Sequence, residues 1–169
     1  MIKKSNSDTS LQHLQDLLST SGSIISEFRL EPESKAYSAA KFRINNKSVV
    51  YRKARVTPKK AGQFVTIWKR NAEGITAPFD EADDLDLMII ESGDEEKSGY
   101  FIFPKAILIE KRIISAAGKD GKRGIRVYTP YDVVANKQAE KTQNWQKNYF
   151  AENDTYFRQL IKITIFILQ

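Results

Sequence analysis

Between Gly62 and Arg70 the chain alternates with the period of a β-strand. Gln63, Val65, Ile67 and Lys69 fall on one side; Phe64, Thr66, Trp68 and Arg70 fall on the other. Both faces are mostly apolar until Lys69 and Arg70 arrive together. That pattern predicts a strand buried for most of its length, which delivers a tryptophan and two cations to one rim. Residues 71–74 then predict a turn, and Pro78-Phe79-Asp80 a new direction. Upstream, Leu11, Leu14, Leu17, Leu18, Ile24, Ile25 and Phe28 fit an amphipathic helix from a Ser10 cap to about Phe28, with Gly22 as its weak point. Residues 37–44 and 49–56 read as two strands about an Asn45-Asn46 turn. Residues 84–91 and 99–103 predict two more strands, the second short and aromatic.

Pro104 suits a helix start, so residues 105–114 predict a short helix before a glycine-rich, cationic loop. That loop, Gly118-Lys-Asp-Gly-Lys-Arg-Gly124, leads into a strand over residues 124–128, on which Arg126 and Tyr128 share a face. A final helix over about 133–149 has sparse apolar positions, with Lys137, Lys141, Asn144 and Asn148 at helical spacing along another side. Residues 160–168 are β-branched and hydrophobic. They predict either a strand docked on the sheet or an exposed aggregation hazard, and they are too short to cross a bilayer.

At 169 residues the chain reads as one domain able to bury a core unaided, its first nine residues polar and frayed. The absence of cysteine excludes disulfide frameworks and thiolate zinc sites, and the lone His13 has no second histidine to share a metal with. Without an apolar leader or a long apolar run, the expectation is a cytoplasmic protein without a membrane span. The net charge of +6 hides a block pattern. Residues 35–70 hold eleven Lys or Arg and no acid; residues 71–99 hold ten acids against Lys97; residues 110–149 hold nine cations against four acids. A polyanion explains the basic blocks through counterion release. Blocks that neutralise one another across the fold explain them equally well.

Five stretches occur in a distinctive order: Gly62-Gln-Phe-Val-Thr-Ile-Trp-Lys-Arg70, Gly74-Ile-Thr-Ala-Pro-Phe-Asp80, Gly99-Tyr-Phe-Ile-Phe-Pro-Lys105, Gly121-Lys-Arg-Gly-Ile-Arg-Val-Tyr128 and Lys137-Gln-Ala-Glu-Lys-Thr-Gln-Asn-Trp-Gln146. With them the chain resembles the MepB family of bacterial proteins over residues 11–150, leaving 151–169 as an extension. The family is named for a member encoded beside a multidrug efflux pump. The resemblance implies an α+β fold, a curved mixed, mostly antiparallel sheet flanked by helices, similar to the DNA-recognition domains of modification-dependent restriction endonucleases. It also implies nucleic-acid binding, to DNA or RNA.

On that reading Arg52, Arg55, Trp68, Lys69, Arg70, Lys105, Lys122, Arg123, Arg126, Tyr128, Lys137 and Lys141 line one concave basic face. Trp68 and Tyr128 stack on unpaired or flipped bases there. Against this, Trp68 also fits a core position from which the cations snorkel, and Trp145 fits the core. The 118–124 loop lacks the Gly-Lys-Ser/Thr ending of a nucleotide-binding P-loop. Two alternatives stay open. One is an interaction module that docks an acidic protein. The other is a metal-dependent nuclease built on Asp80, Glu95 and Lys97, although the latter two sit in a polar turn that offers no rigid support. Asp83, Asp84 and Asp86 fit a solvated turn better than a cation site, and the residues call for no cofactor and no metal.

Overall fold

Leu87-Met-Ile-Ile90 and Tyr100-Phe-Ile-Phe103 are unbroken apolar runs, and strands of that kind need cover on both faces. A computed structural model, which describes residues 6–94 and 96–169, provides that cover. The large sheet comprises β1 (Ile25–Leu30), β2 (Ala40–Ile44), β3 (Lys47–Lys53), β8 (Leu87–Gly93), β9 (Ser98–Pro104) and β11 (Phe150–Ala151), side by side in that order. All its neighbours run antiparallel except β3 and β8, which are parallel with Val49 opposite Leu87 and Lys53 opposite Glu91. The fold is therefore α+β with a mixed, mostly antiparallel sheet flanked by helices.

Period-2 alternation sends Val49, Tyr51, Leu87, Ile89 and Ile102 to one face, where α1 (Asn6–Thr20) and α4 (Asp154–Ile167) cover them. Val50, Met88, Ile90, Phe101 and Phe103 go to the other. There they meet a second layer: α2 (Lys105–Glu110), α3 (Lys137–Gln146) and a three-stranded sheet of β10 (Gly124–Val127), β5 (Gln63–Thr66) and β4 (Arg55–Val56). The ribbon β6 (Trp68–Arg70) and β7 (Thr76–Pro78) continues from β5. Buried Gln63 ties the layers together: its amide donates to Gly93 O and accepts from Ser92 Oγ and Gly93 N.

Three expectations are corrected. The first helix ends at Thr20, and residues 25–30 form the edge strand β1. Gly22, at φ 79°, lets Ser23 N reach Leu18 O and Gly22 N reach Ser19 O, which closes the helix in a Schellman motif. The C-terminal stretch is a helix, not a strand. Asn153 caps it by accepting from Tyr156 N, and Phe157, Ile161, Thr164 and Ile165 recur at helical spacing against the core. The last predicted helix is also shorter, starting at Lys137 behind an Asn136 cap.

A buried polar cluster lies between β3 and β8. Tyr51 Oη donates to Glu91 at 2.6 Å, and Lys53 Nζ pairs with the same carboxylate at 3.2 Å. Burial, with Glu91 alongside, holds the Tyr51 phenol well above its ordinary value of 10.0, and Tyr100 is pushed up in the same way. The folded chain keeps these phenols neutral, whereas the unfolded chain ionises them near their ordinary value. Their contribution is therefore complete below that pH and is lost as pH rises past it. Tyr51→Phe is expected to cost about 1–3 kcal/mol at neutral pH through the lost hydrogen bond. It is also expected to flatten the fall of stability above about pH 10. Urea unfolding over an alkaline pH series measures both, and an unchanged alkaline slope would exclude Tyr51 from the titrating set.

Candidate nucleic-acid interface

The outer face of the small sheet is set by register. Arg55 lies opposite Phe64 and Phe64 opposite Arg126, so the three stand in a row across β4, β5 and β10. Their strand neighbours Val65, Ile125 and Val127 turn inward to the core. Beside this face stands α3, which buries only Ala139 and Gln146. Polar contacts dock it. Gln146 accepts from Tyr128 N and donates to Arg126 O, and Gln143 donates to the carbonyls of Thr129 and Asp132. A helix held in this way need not sink an apolar stripe into the protein.

Between sheet and helix runs a cleft of about 540 Å³. Its lining includes Phe64, Arg126 and Tyr128 from the sheet, Thr142 and Trp145 from α3, Lys111 after α2, and Lys60 and Lys122 from loops. Among the described residues no Asp or Glu lines it. Lys60 and Lys122 are exposed and, among the described residues, form no ion pair. Lys111 pairs with Glu110 and stands 5.8 Å from the Trp145 ring. Arg126 has no carboxylate partner among the described residues; it donates to Thr57 Oγ1 at 2.8 Å and to Ala61 O at 3.1 Å, which fastens the loop before β5.

Two glycines set the aromatic lining. A Cβ on Gly62, where φ is 68°, would meet Val127 O at 2.5 Å and the Tyr128 ring at 2.6 Å. One on Gly124 would meet Phe64 Cζ at 2.4 Å. Each ring therefore lies directly over glycine backbone, at a position any side chain would fill.

The predicted residues divide. Lys122, Arg126 and Tyr128 come together in the cleft; Arg55 flanks it on the sheet, and Lys137 and Lys141 are exposed on the helix that walls it. The other six lie elsewhere. Arg52 is 1% exposed, with Nη2 at 2.9 Å from Glu31 Oε2, whose carboxylate also holds Lys41. Burial pushes its guanidinium down while Glu31 opposes that shift. Arg52 is a core residue and presents nothing to a ligand. Lys69 pairs with Asp83, whose backbone carbonyl also accepts from Lys105, and Arg70 pairs with Glu33 while stacking on Trp68 at 5.5 Å. Arg123 donates to Thr76 O. Trp68 and its neighbours form the β6–β7 end, apart from the cleft lining. The predicted single face is thus two regions, and the strand-end cations already have acidic partners.

Sequence spacing does not single out Lys60, Lys111 or Phe64, and it places Trp145 in the core. Trp145 does pack on Phe103, with ring centroids 5.3 Å apart, but it is only half-buried and borders the cleft. A tryptophan on a helix with so few other apolar residues was the available signal. Of the nuclease set, Glu95 lies outside the described residues. Asp80 caps the Ala82 amide, while Lys97 stands over Tyr131, so those two have different neighbours. Asp83, Asp84 and Asp86 bind Lys69, Arg43 and Ser48 N respectively. Among the described residues no group of three or more His, Cys, Asp or Glu is placed to hold a metal ion. No described helix is long and apolar enough to cross a membrane.

Arg52→Met is expected to destabilise the protein by about 3–5 kcal/mol, because it leaves Glu31 without its buried partner. Adding Glu31→Met is expected to recover much of that loss. Urea unfolding of the single and double variants tests the assignment, and a neutral single variant would refute it.

A crystal structure of MepB superposes with a TM-score of 0.75 at 32% identity, covering 89% of this chain and 98% of that one. The bacterial homing endonuclease I-Ssp6803I gives a TM-score of 0.48 at 16% identity, covering 96% and 95%. No curated protein matches the sequence. The family model described as MepB-like matches residues 31–152, and the chain belongs to that family.

Proposed function

We propose that the protein binds nucleic acid, DNA or RNA, in the cleft between the small sheet and α3, as a cytoplasmic protein. One observation carries this reading. Four cations, Lys60, Lys111, Lys122 and Arg126, line a concavity that also holds Phe64, Tyr128 and Trp145 and, among the described residues, no carboxylate; all but Lys111, which pairs with Glu110, lack an acidic partner there. A cation without an acidic partner keeps its full attraction for a phosphate, and each phosphate it neutralises releases counterions. Aromatic rings beside those cations give bases a face to stack on. Arg55, Lys137 and Lys141 widen the positive field around the cleft without a carboxylate partner among the described residues.

The contact surface is the Lys122–Tyr128 strand and its surroundings rather than the Trp68–Arg70 rim. Phosphates at the rim would first have to displace Asp83 and Glu33 from Lys69 and Arg70. At the cleft, Lys60 and Lys122 have no such competitor among the described residues.

The double variant Lys60→Glu, Lys122→Glu is expected to weaken oligonucleotide binding by about 10- to 100-fold near 0.1 M salt and to reduce the salt slope by about two. Both side chains are exposed, so the fold should persist, which circular dichroism checks. A gel-shift titration with DNA, RNA and polyglutamate reads the outcome. Unchanged nucleic-acid affinity in the variant defeats the proposal. Equal binding of polyglutamate by the parent protein replaces it with an acidic-protein partner.

A further inference from the structure

We infer that the cleft admits a single unpaired nucleotide, base inward and phosphate at the mouth, so the preferred ligand is single-stranded. The inference rests on the nucleic-acid reading above and adds to it the form of the ligand. It comes from how polarity is distributed within the cavity.

The unpaired cations Lys60 and Lys122 are exposed at loop positions, whereas Tyr128 and Trp145 are half-buried on the sheet and on α3. The two unpaired lysines are therefore more exposed than the rings, whereas Lys111 and Arg126 are half-buried at the level of the rings. A groove that follows a duplex needs only the charge, since it touches phosphates and sugars along the outside of the helix. Paired bases lie inside the stack and present no face to a pocket wall. A free base does present one, and stacking on an aromatic side chain is tolerant of base identity. The volume of about 540 Å³ falls in the range of sites that enclose a small ligand, far below what a double helix would occupy.

The amide side chains of the α3 wall fit the same ligand. Gln146 lines the cleft, but its amide is engaged on both sides with the β10 backbone, through Tyr128 N and Arg126 O. It sets the wall and has little left for a base. Asn136 uses its carbonyl oxygen to cap α3 by accepting from Ala139 N, and its amide nitrogen has no partner among the described residues. Gln138, also in the lining, is exposed with no side-chain hydrogen bond among the described residues. Two amides on one wall offer donors and acceptors of the kind that base edges carry. The Tyr128 ring lies over Gly62, where no side chain can intervene, so one stacking face is held in place before the ligand arrives.

The test compares three fluorescent oligonucleotides of one length: a single strand, its blunt duplex, and a single strand with a run of abasic sites that keeps every phosphate. Anisotropy titrations are expected to give at least tenfold tighter binding of the intact single strand than of either other probe. In a Trp68→Phe background Trp145 is the remaining tryptophan, so unlabelled strands report directly on it. The intact strand should quench its emission and the abasic strand should not. Tyr128→Leu should narrow the gap between intact and abasic strands while leaving binding of the abasic strand unchanged. Equal affinity for all three probes, or quenching that ignores the bases, overturns this inference and leaves a phosphate-binding groove with the nucleic-acid reading intact. Failure to bind any of the three removes that reading and this inference together.

Discussion

The central strands carry apolar side chains on both faces, and that one constraint organises the molecule. β3, β8 and β9 cannot leave either side of the large sheet to water, so the chain must supply two covers. The helices α1 and α4, drawn from the two ends of the sequence, pack one face around Phe157, Ile161 and the leucines of the first helix. The other face is closed by a second sheet and two helices around Phe101, Phe103 and Val65. Only this second cover has an outer surface built from strands, and its outward residues are Arg55, Phe64 and Arg126. The cleft is a consequence of that layering: it lies where the small sheet and the last helix of the cover meet solvent together.

The same layering decides which cations remain available. The parallel pairing of β3 and β8 brings the acidic block of residues 80–91 alongside the first basic block. Lys53 meets Glu91, Arg43 meets Asp84 and Lys69 meets Asp83. Such pairs at least partly exposed add little stability each, yet every one removes a positive charge from what a polyanion would encounter. In the second basic block, Lys122 and Arg126 have no carboxylate partner among the described residues, although Lys111 pairs with Glu110. Mutual neutralisation across the fold therefore explains the first part of the block pattern, whereas the proposed polyanion contact concerns only the second.

Much of the fold was legible because strand periodicity survives wherever one residue faces each layer. Residues 49–53, 87–91 and 99–103 were recognisable from alternation and apolar runs alone. The errors came where a local feature outweighed a pattern. Ile24, Ile25 and Phe28 continue the spacing of the first helix, but Gly22 in a left-handed turn redirects them into an edge strand. The β-branched residues near the C-terminus favour a strand by composition, and the Asn153 cap together with the 157–161–165 spacing makes them a helix. Arg52 reads as a surface cation in a basic run. Only the position of Glu31, twenty-one residues earlier and across the sheet edge, makes it a core residue. Sequence spacing carries no information on such a partner.

The two tryptophans illustrate why residue type alone locates a site poorly. Trp68 sits in the most eye-catching stretch of the chain, beside two cations, yet those cations are already matched and one of them covers its ring. Trp145 sits on a helix too polar to look anchored. That helix is held by amides, Gln143 and Gln146 bonding to backbone near the end of β10, and so it does not need to turn every large side chain inward. A helix docked by an apolar stripe would have buried its tryptophan as part of the seal. Docking through glutamines frees the ring to border open space, and it also fixes the spacing between α3 and the strand opposite. Hydrogen bonds to backbone tolerate little sliding, so the cleft width follows from two side chains that make no direct contribution to its charge.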